Sequence, residues 1–137
     1  MNRGQNRPAT TDADVADGLI THGLRSPRLA LVPVDRAADL PAAIGWMGTV
    51  SYELDVARLC TVLRSWVDRF GAQVIALSYT RLDLSVAAPP QTLGEALSVA
   101  AEHFAFCPHN LWEIYKTIRI YAEEALLGNA HWTFWWD

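Results

Sequence analysis

The sequence is poor in lysine and cysteine, and it contains no long apolar run. Lys116 is the only lysine among 11 basic residues, and the formal net charge is -4. No segment gathers basic side chains, so the sequence lacks the positive surface with which nucleic-acid-binding proteins hold phosphates. We therefore exclude nucleic acid as a partner of this protein.

The two cysteines, Cys60 and Cys107, can form at most one disulfide. Small secreted domains depend on several disulfides, so this count favours reduced thiols. Residues 1–18 lack the apolar core of a signal peptide, and no run approaches the ~18 apolar residues that a membrane helix needs. These absences predict a cytoplasmic protein without a membrane segment.

The length and composition predict one globular domain. The chain has 137 residues, of which 51% are hydrophobic and 19% are charged, and these values are typical of a folded domain with one core. Residues 1–11 are polar and show no periodicity, so we expect a flexible N-terminal tail there. We predict that residues 12–137 form a single α+β domain.

Helical periodicity and capping signals define the main helices. Gly71 is typical of the residue that ends a helix, and Thr92 with Glu95 forms a capping box at a helix start. Cys107 precedes a proline and should end the second helix, after which Asn110 can cap a third. The main helices are therefore predicted at residues 54–70, 92–106 and 111–127.

Period-two alternation indicates strands between and after these helices. Leu82 and Leu84 alternate with Asp83 and Ser85, which is typical of a strand with one buried face. Pro33 would place an earlier strand at a sheet edge, because proline cannot donate to the ladder. Strands are therefore predicted at about residues 29–34, 74–79, 82–87 and 131–137.

These elements predict a small antiparallel or mixed sheet of about four strands, packed on one face against three main helices. A hairpin turn is expected near Thr80 and Arg81. A further short helix is expected at residues 12–24. Residues 40–51 should form an ordered loop held by the large side chain of Trp46.

The sequence contains six tryptophans, more aromatic surface than packing requires. Alternation in the last strand places Trp132, Phe134 and Trp136 on one face and His131 and Trp135 on the other. We expect Trp132 and Phe134, together with Trp66, in the core. Other aromatic residues are candidates to line an apolar pocket. The predicted ligand-binding residues are Trp46, Trp112, Tyr115 and Trp135.

The segment around residue 107 contains the candidate catalytic residues. His109 and Glu113 lie one helical turn apart and Glu102 flanks His103, so either pair can perform general acid and base chemistry near neutral pH. Cys107 is a candidate nucleophile, activated by one of these histidines near the start of the next helix. The alternative is that Cys107 is a buried core residue.

The same segment also resembles part of a metal site. His103, Cys107 and His109 are ligand types that suit zinc, but a structural site needs a fourth ligand, which would be His131 or Glu102. A buried Cys107 and a His103 bonded to backbone explain the pattern more simply. We therefore predict no metal and no cofactor.

Four segments carry a resemblance to a known family. SWVDRFGA, LDLSVAAPP, VAAEHFAFCPHN and the terminal FWWD together resemble the bacterial domain-of-unknown-function family 4253, over about residues 45–137. Val67 and His109 stand where that family tends to have Glu and Asp. The resemblance implies that an activity which depends on those two acids is lost or altered here.

The combined pattern favours a small-molecule enzyme or ligand-binding protein, such as a specialised biosynthetic enzyme. The expected cavity lies between the Trp46 loop, the turn at residues 107–112 and the terminal strand, with stacking and cation–π attraction holding an apolar or cationic ligand. The alternative is a protein-interaction module, such as an immunity or regulatory partner, that uses an exposed aromatic patch. In that case a protein partner or a homodimer is expected.

Overall fold

The computed structural model describes residues 9–48 and 55–136. Most of the predicted tail, the end of the Trp46 loop and the last residue of the predicted final strand lie outside these ranges. The α-helices are α1 (Asp12–Gly18), α2 (Leu40–Ala43), α3 (Val56–Phe70), α4 (Leu93–Phe106) and α5 (Ile118–Tyr121). A 3₁₀ turn at Ala37–Asp39 precedes α2, and a π-helical turn at Ala122–Leu126 continues α5. The strands are β1 (Ala72–Leu77), β2 (Arg81–Val86) and β3 (His131–Trp135). The mixed α+β class predicted from the sequence is confirmed.

Local signals set the ends of the two long helices. The carboxylate of Asp55 accepts a hydrogen bond from the N–H of Ala57 at the start of α3, and Gly71 ends that helix with φ of 61°. Thr92 and Glu95 form the predicted capping box at the start of α4. These side chains satisfy backbone groups that a helix end leaves free, and both predicted helices are confirmed.

The described strands form one antiparallel sheet in the order β1-β2-β3. The sequence predicted about four strands, but residues 29–34 belong to none of the three. Leu29 and Leu31 are 96% and 95% exposed, and Val32 and Val34 are only partly buried, so little apolar contact holds this segment in place. The predicted hairpin between β1 and β2 is confirmed, with its turn at residues 78–80.

The inner face of the sheet packs against α3 and α4 through aromatic side chains. Trp66 is fully buried and stacks on Phe134 with ring centroids 5.5 Å apart. Trp132 meets the same indole edge to face at 5.7 Å. Leu82 and Leu84 fill the space beside these rings. Trp66, Trp132 and Phe134 are therefore core residues, as predicted.

The outer face of the sheet is covered as well, which the sequence did not predict. Helix α1 lies against β1 and β2, and the buried Ser85 hydroxyl donates a hydrogen bond to Asp12 at the start of that helix. The helix continues as a π-helical turn at Leu19–Gly23. Burial of Val15 and Leu19 supplies the apolar contact that holds this segment on the sheet.

The third main helix, predicted at residues 111–127, is interrupted. A π-helical turn at Leu111–Tyr115 ends at Lys116, whose φ is 60°. The hydroxyl of Thr117 then accepts a hydrogen bond from the N–H of Ile120 and starts α5. A threonine that caps a new helix competes with continuation of the old one, so the chain turns at this point.

Asn110 was predicted to cap this helix, but its side chain binds the free edge of β3 instead. Its amide nitrogen donates to the carbonyl oxygen of Thr133 at 2.6 Å, and its amide oxygen accepts from the N–H of Trp135 at 3.3 Å. Cys107 donates its S–H to the carbonyl oxygen of Trp135 at 3.2 Å. The 107–110 turn thus satisfies backbone groups that an edge strand leaves unpaired.

In the described part of the chain, no helix is long and apolar enough to cross a membrane.

We predict that Asn110→Ala lowers the free energy of unfolding by about 2 kcal/mol, because it leaves the backbone groups of Thr133 and Trp135 without a protein partner in a partly buried place. Urea denaturation followed by circular dichroism measures this change. The matched control is Gln91→Ala, whose exposed amide bonds only the carbonyl of Pro89 and whose loss should cost under ~0.5 kcal/mol. Equal effects of the two substitutions would contradict the edge-strand role.

Candidate functional site

The candidate site lies on the outer, polar face of the sheet. Leu82 and Leu84 of β2 point into the core, so the alternating residues Arg81, Asp83 and Ser85 face the other way. His131 of β3 pairs with Ser85 in the strand register and shares this face. Ionisable side chains from two strands therefore meet on one surface beneath the N-terminal segment.

Asp83 is the centre of this group. Its side chain is 1% exposed, and its two oxygens accept hydrogen bonds from Nε and Nη2 of Arg81 at 2.8 and 2.9 Å. Nε2 of His131 lies 2.8 Å from Oδ1 of the same carboxylate. A two-bonded arginine–carboxylate pair fixes both distance and orientation, so Asp83 holds the other two side chains in place.

The environment of Asp83 keeps it ionised. Burial acts to raise the pKa of this carboxyl, but hydrogen bonds from His131, Arg81 and Thr133, with the positive charge of Arg81, leave its pKa below the ordinary value. An ionised carboxylate only accepts hydrogen bonds. His131 must therefore carry a proton on Nε2, and Nδ1 is the ring nitrogen that remains to accept or give up a proton.

A groove of about 440 Å³ opens beside this group. One wall comes from the N-terminal segment and includes Asp14, Leu19 and His22, and the other includes Arg81 and His131. Nη1 of Arg81 donates to the carbonyl oxygen of Gly23 at 3.3 Å and ties the two walls together. The groove therefore combines an apolar surface with several polar groups, as small-molecule sites do.

His103, a predicted catalytic residue, lies in the aromatic core. It is fully buried among the rings of Trp66, Trp132 and Phe134, each within 4.7 Å between centroids. Its Nδ1 lies 2.7 Å from the hydroxyl of Tyr121. Burial lowers the pKa of His103 to about 3, so the ring is neutral at physiological pH and is enclosed away from any substrate.

Cys107, the predicted nucleophile, is also fully buried. Burial raises the pKa of its thiol to about 11, although backbone groups of Asn110, Trp135 and His109 act in the opposite direction. The thiolate is the nucleophilic form of cysteine. Near neutral pH this thiol is protonated and donates to the backbone of β3, so the geometry supports the alternative reading of Cys107 as a core residue.

His109 and Glu113, the predicted acid–base pair, lie nearer the surface. His109 is partly buried and its ring meets Trp135 edge to face at 5.8 Å. Glu113 is exposed. The structure therefore places His109 beside one predicted ligand-binding residue, at the 107–110 turn.

The predicted ligand-binding aromatics lie in separate places. Trp46 is buried, donates its indole N–H to the carbonyl oxygen of Ser78 at 2.7 Å and packs on Trp136. Tyr115 packs against Tyr121 at 5.1 Å. Trp112 is exposed on the other side of the 107–112 turn, beside Phe104. None of the four predicted residues lines the groove, whereas Trp112 lines a separate, smaller cavity.

The metal pattern considered from the sequence is not assembled. Within residues 9–48 and 55–136, no three side chains of His, Cys, Asp or Glu meet in a group that could hold a metal ion. His103 and Cys107 face the core, whereas His131 binds Asp83 on the opposite face of the sheet. The candidate ligands therefore lie on opposite sides of the sheet and cannot bind one metal ion together.

Comparison with known proteins gives one match. The family described as a domain of unknown function (DUF4253) matches residues 28–137. The chain belongs to this family. No curated protein and no solved structure matches it. The DUF4253 region contains Arg81, Asp83 and His131, whereas α1 and the turn after it precede that region, so the groove has one wall inside the matched residues and one outside.

Sequence reasoning missed Arg81 and Asp83 as site residues. The signal that could have found them is the alternation of β2, which exposes a run of polar side chains on the face opposite the core. In isolation that pattern indicates a solvated strand face. Asp83 is nevertheless buried, on a sheet that α1 also contacts, and no local feature of the sequence predicts the position of α1.

We predict that His103 makes the fold sensitive to acid below its ordinary pKa of 6.5. The pKa of about 3 in the folded state means that the unfolded chain binds one more proton between these values, so stability falls as the pH falls. The expected slope from this residue is about 1.4 kcal/mol per pH unit. Urea denaturation at several pH values between 7 and about 5 measures it, a range that ends above the ordinary carboxyl pKa values.

The comparison variant is His103→Gln, which can still reach the Tyr121 hydroxyl but does not titrate. Its stability at pH 7 should be lower than that of the wild type, because the core was shaped around an imidazole. Over the same pH range, the dependence of its unfolding free energy on pH should be smaller by about 1.4 kcal/mol per pH unit, the contribution of one proton. A slope equal to that of the wild type would show that His103 is not the group responsible.

Proposed function

We propose that this protein is a small-molecule enzyme whose site is the groove beside Asp83, with His131 as the general base. One observation carries the proposal: a buried, ionised carboxylate holds an imidazole at the edge of a cavity of about 440 Å³. A carboxylate that accepts the proton of one imidazole nitrogen fixes the tautomer and makes the other nitrogen available for proton transfer.

Arg81 is suited to bind an anionic group of the substrate. Three of its five N–H groups are used, two toward Asp83 and one toward Gly23. The remaining two belong to a side chain that is 31% exposed and lines the groove. A substrate carboxylate or other oxyanion bound to Arg81 would lie close to His131, because Arg81 and His131 both bind the carboxylate of Asp83.

This geometry supports proton abstraction or water activation next to an anionic group. His131 would take the proton, and Asp83 would stabilise the imidazolium that results. His22 also lines the groove and is a candidate to return a proton to the product. The substrate class that fits is a small organic acid with an acidic or hydrolysable position near its carboxylate.

We expect His131→Gln to lower turnover strongly while the fold and substrate binding are retained. The glutamine amide can still donate a hydrogen bond to Asp83, but it cannot accept a proton near neutral pH. A panel of small hydroxy, amino and keto acids is screened by thermal shift, and each binder is followed for conversion by NMR. Conversion of the best binder should fall by about 10² to 10⁴, with its affinity changed by less than ~10-fold.

His109→Ala is the matched control, because His109 is the base that the sequence favours and it does not line the groove. If the proposal is right, this variant converts the same acid at nearly the wild-type rate. The opposite result, loss in His109→Ala and retention in His131→Gln, would place the activity at the 107–110 turn. Failure of every acid in the panel to shift the NMR signals of Gly128 to His131 would contradict the groove as a binding site.

A further inference from the structure

A second, smaller cavity lies on a different part of the surface. It has a volume of about 190 Å³ and is lined by Phe104, Leu111, Trp112, Lys116 and Ile118. None of these residues lines the larger groove, so the two cavities are separate sites. Four of the five lining side chains are apolar, and the fifth carries a positive charge.

The interruption of the predicted helix forms this cavity. Lys116 has φ of 60°, which is unusual for a residue with a side chain. This conformation costs free energy, and it persists only where the surrounding structure enforces it. Its N–H donates to the carbonyl of Leu111, and the next residue, Thr117, begins α5. The turn brings Trp112 and Ile118, which precede and follow it, to the same hollow beside Phe104 of α4.

The aromatic side chains at this cavity are largely open to solvent. Trp112 is 71% exposed, and its ring lies 5.8 Å from that of Phe104, which is itself exposed. Ile118 is exposed as well. An apolar cluster left in contact with water favours a ligand that covers it.

The charge at the cavity is not neutralised within the described residues. Lys116 takes part in none of the ion pairs among the described residues. Their basic members are Arg64, Arg69, Arg81, Arg119 and His131. Lys116 is exposed and is the only lysine of the chain. A ligand that complements the site therefore has an apolar body and one negative charge.

We propose that this cavity binds a small carboxylate with a single aromatic ring. An engineered cavity of about 150 Å³ holds benzene, so a hollow of about 190 Å³ holds one ring with a short substituent. The ring would pack against the exposed surfaces of Trp112 and Phe104, and the carboxylate would meet the ammonium of Lys116 at the rim. A stable protein interface buries about 800 Å² per partner, more than a hollow with five lining residues offers.

The test uses phenylacetate as the probe and isothermal titration calorimetry on the full chain. Phenylacetate should bind the wild type, and phenylacetamide, which has the same shape without the charge, should bind about threefold to fivefold more weakly, as expected of one exposed ion pair. Lys116→Met should weaken phenylacetate to the level of phenylacetamide and leave phenylacetamide unchanged. Trp112→Ala should remove binding of both compounds.

Arg119→Met is the matched control, since Arg119 is an exposed cation three residues away that pairs with Glu123 at 2.9 Å and does not line the cavity. It should bind phenylacetate as the wild type does. Lys116→Gly separates binding from folding: glycine adopts positive φ without strain, so this variant should melt at a temperature equal to or above that of the wild type, yet lose the preference for phenylacetate over phenylacetamide.

Two results would overturn the proposal. One is that phenylacetate at millimolar concentration produces neither heat nor NMR shifts at Trp112 and Lys116. The other is that the wild type self-associates, that Trp112→Ala is monomeric, and that neither protein binds phenylacetate. This result would make the apolar cluster an interface between copies of the chain. Loss of turnover in the His131 variant affects neither result, because the two cavities share no lining residue.

Discussion

The buried negative charge of Asp83 is the constraint on which the outer half of the molecule depends. A carboxylate that is 1% exposed is strongly unfavourable unless it is paired and fully hydrogen-bonded. Arg81 and His131 supply that pairing, and each then has a fixed position on the sheet. The N-terminal segment completes the enclosure through the carbonyl of Gly23 and the carboxylate of Asp12, which bind Arg81 and Ser85.

The central strand divides the molecule into two chemically different halves. On the inner face of β2, Leu82 and Leu84 pack in an aromatic core that holds Trp66, Trp132 and Phe134. On the outer face the same strand presents Asp83 and Ser85. The core face is close-packed, whereas the groove opens on the outer face. The histidine of the core, His103, is neutral and enclosed, whereas His131 is a third exposed.

The sequence predicted the parts of the fold that local rules determine. The ends of α3 and α4 follow from Asp55, Gly71 and the Thr92 capping box, and the inward face of β3 follows from alternation. Three features were not predicted. Two of them depend on contacts between distant residues: the placement of α1 on the sheet and the use of Asn110 at the edge of β3. The third is the turn at Lys116, which interrupts the last long helix and which Thr117 sets locally by capping α5.

The same division explains how much of the candidate site was predictable. Residue types that carry chemistry were visible at positions 103 to 113, because histidine, cysteine and acid cluster there in the sequence. Clustering in sequence did not become clustering at a cavity, since helix α4 turns His103 inward and the following turn uses Cys107 and Asn110 to hold β3. The groove instead joins residues 22, 81 and 131, which are far apart along the chain.

The two walls of the groove differ in their relation to the DUF4253 region, and this difference bears on substrate specificity in the proposed enzyme. The DUF4253 region, residues 28–137, contains the pair of Asp83 and His131, while the wall that includes Asp14, Leu19 and His22 precedes that region. In the proposed enzyme the sheet would provide the proton-transfer groups, and the N-terminal segment would set the shape and charge of the space in front of them. A change in that segment would then alter which acid fits without disturbing the Asp83–His131 bond, because that bond joins two neighbouring strands and does not involve the N-terminal wall.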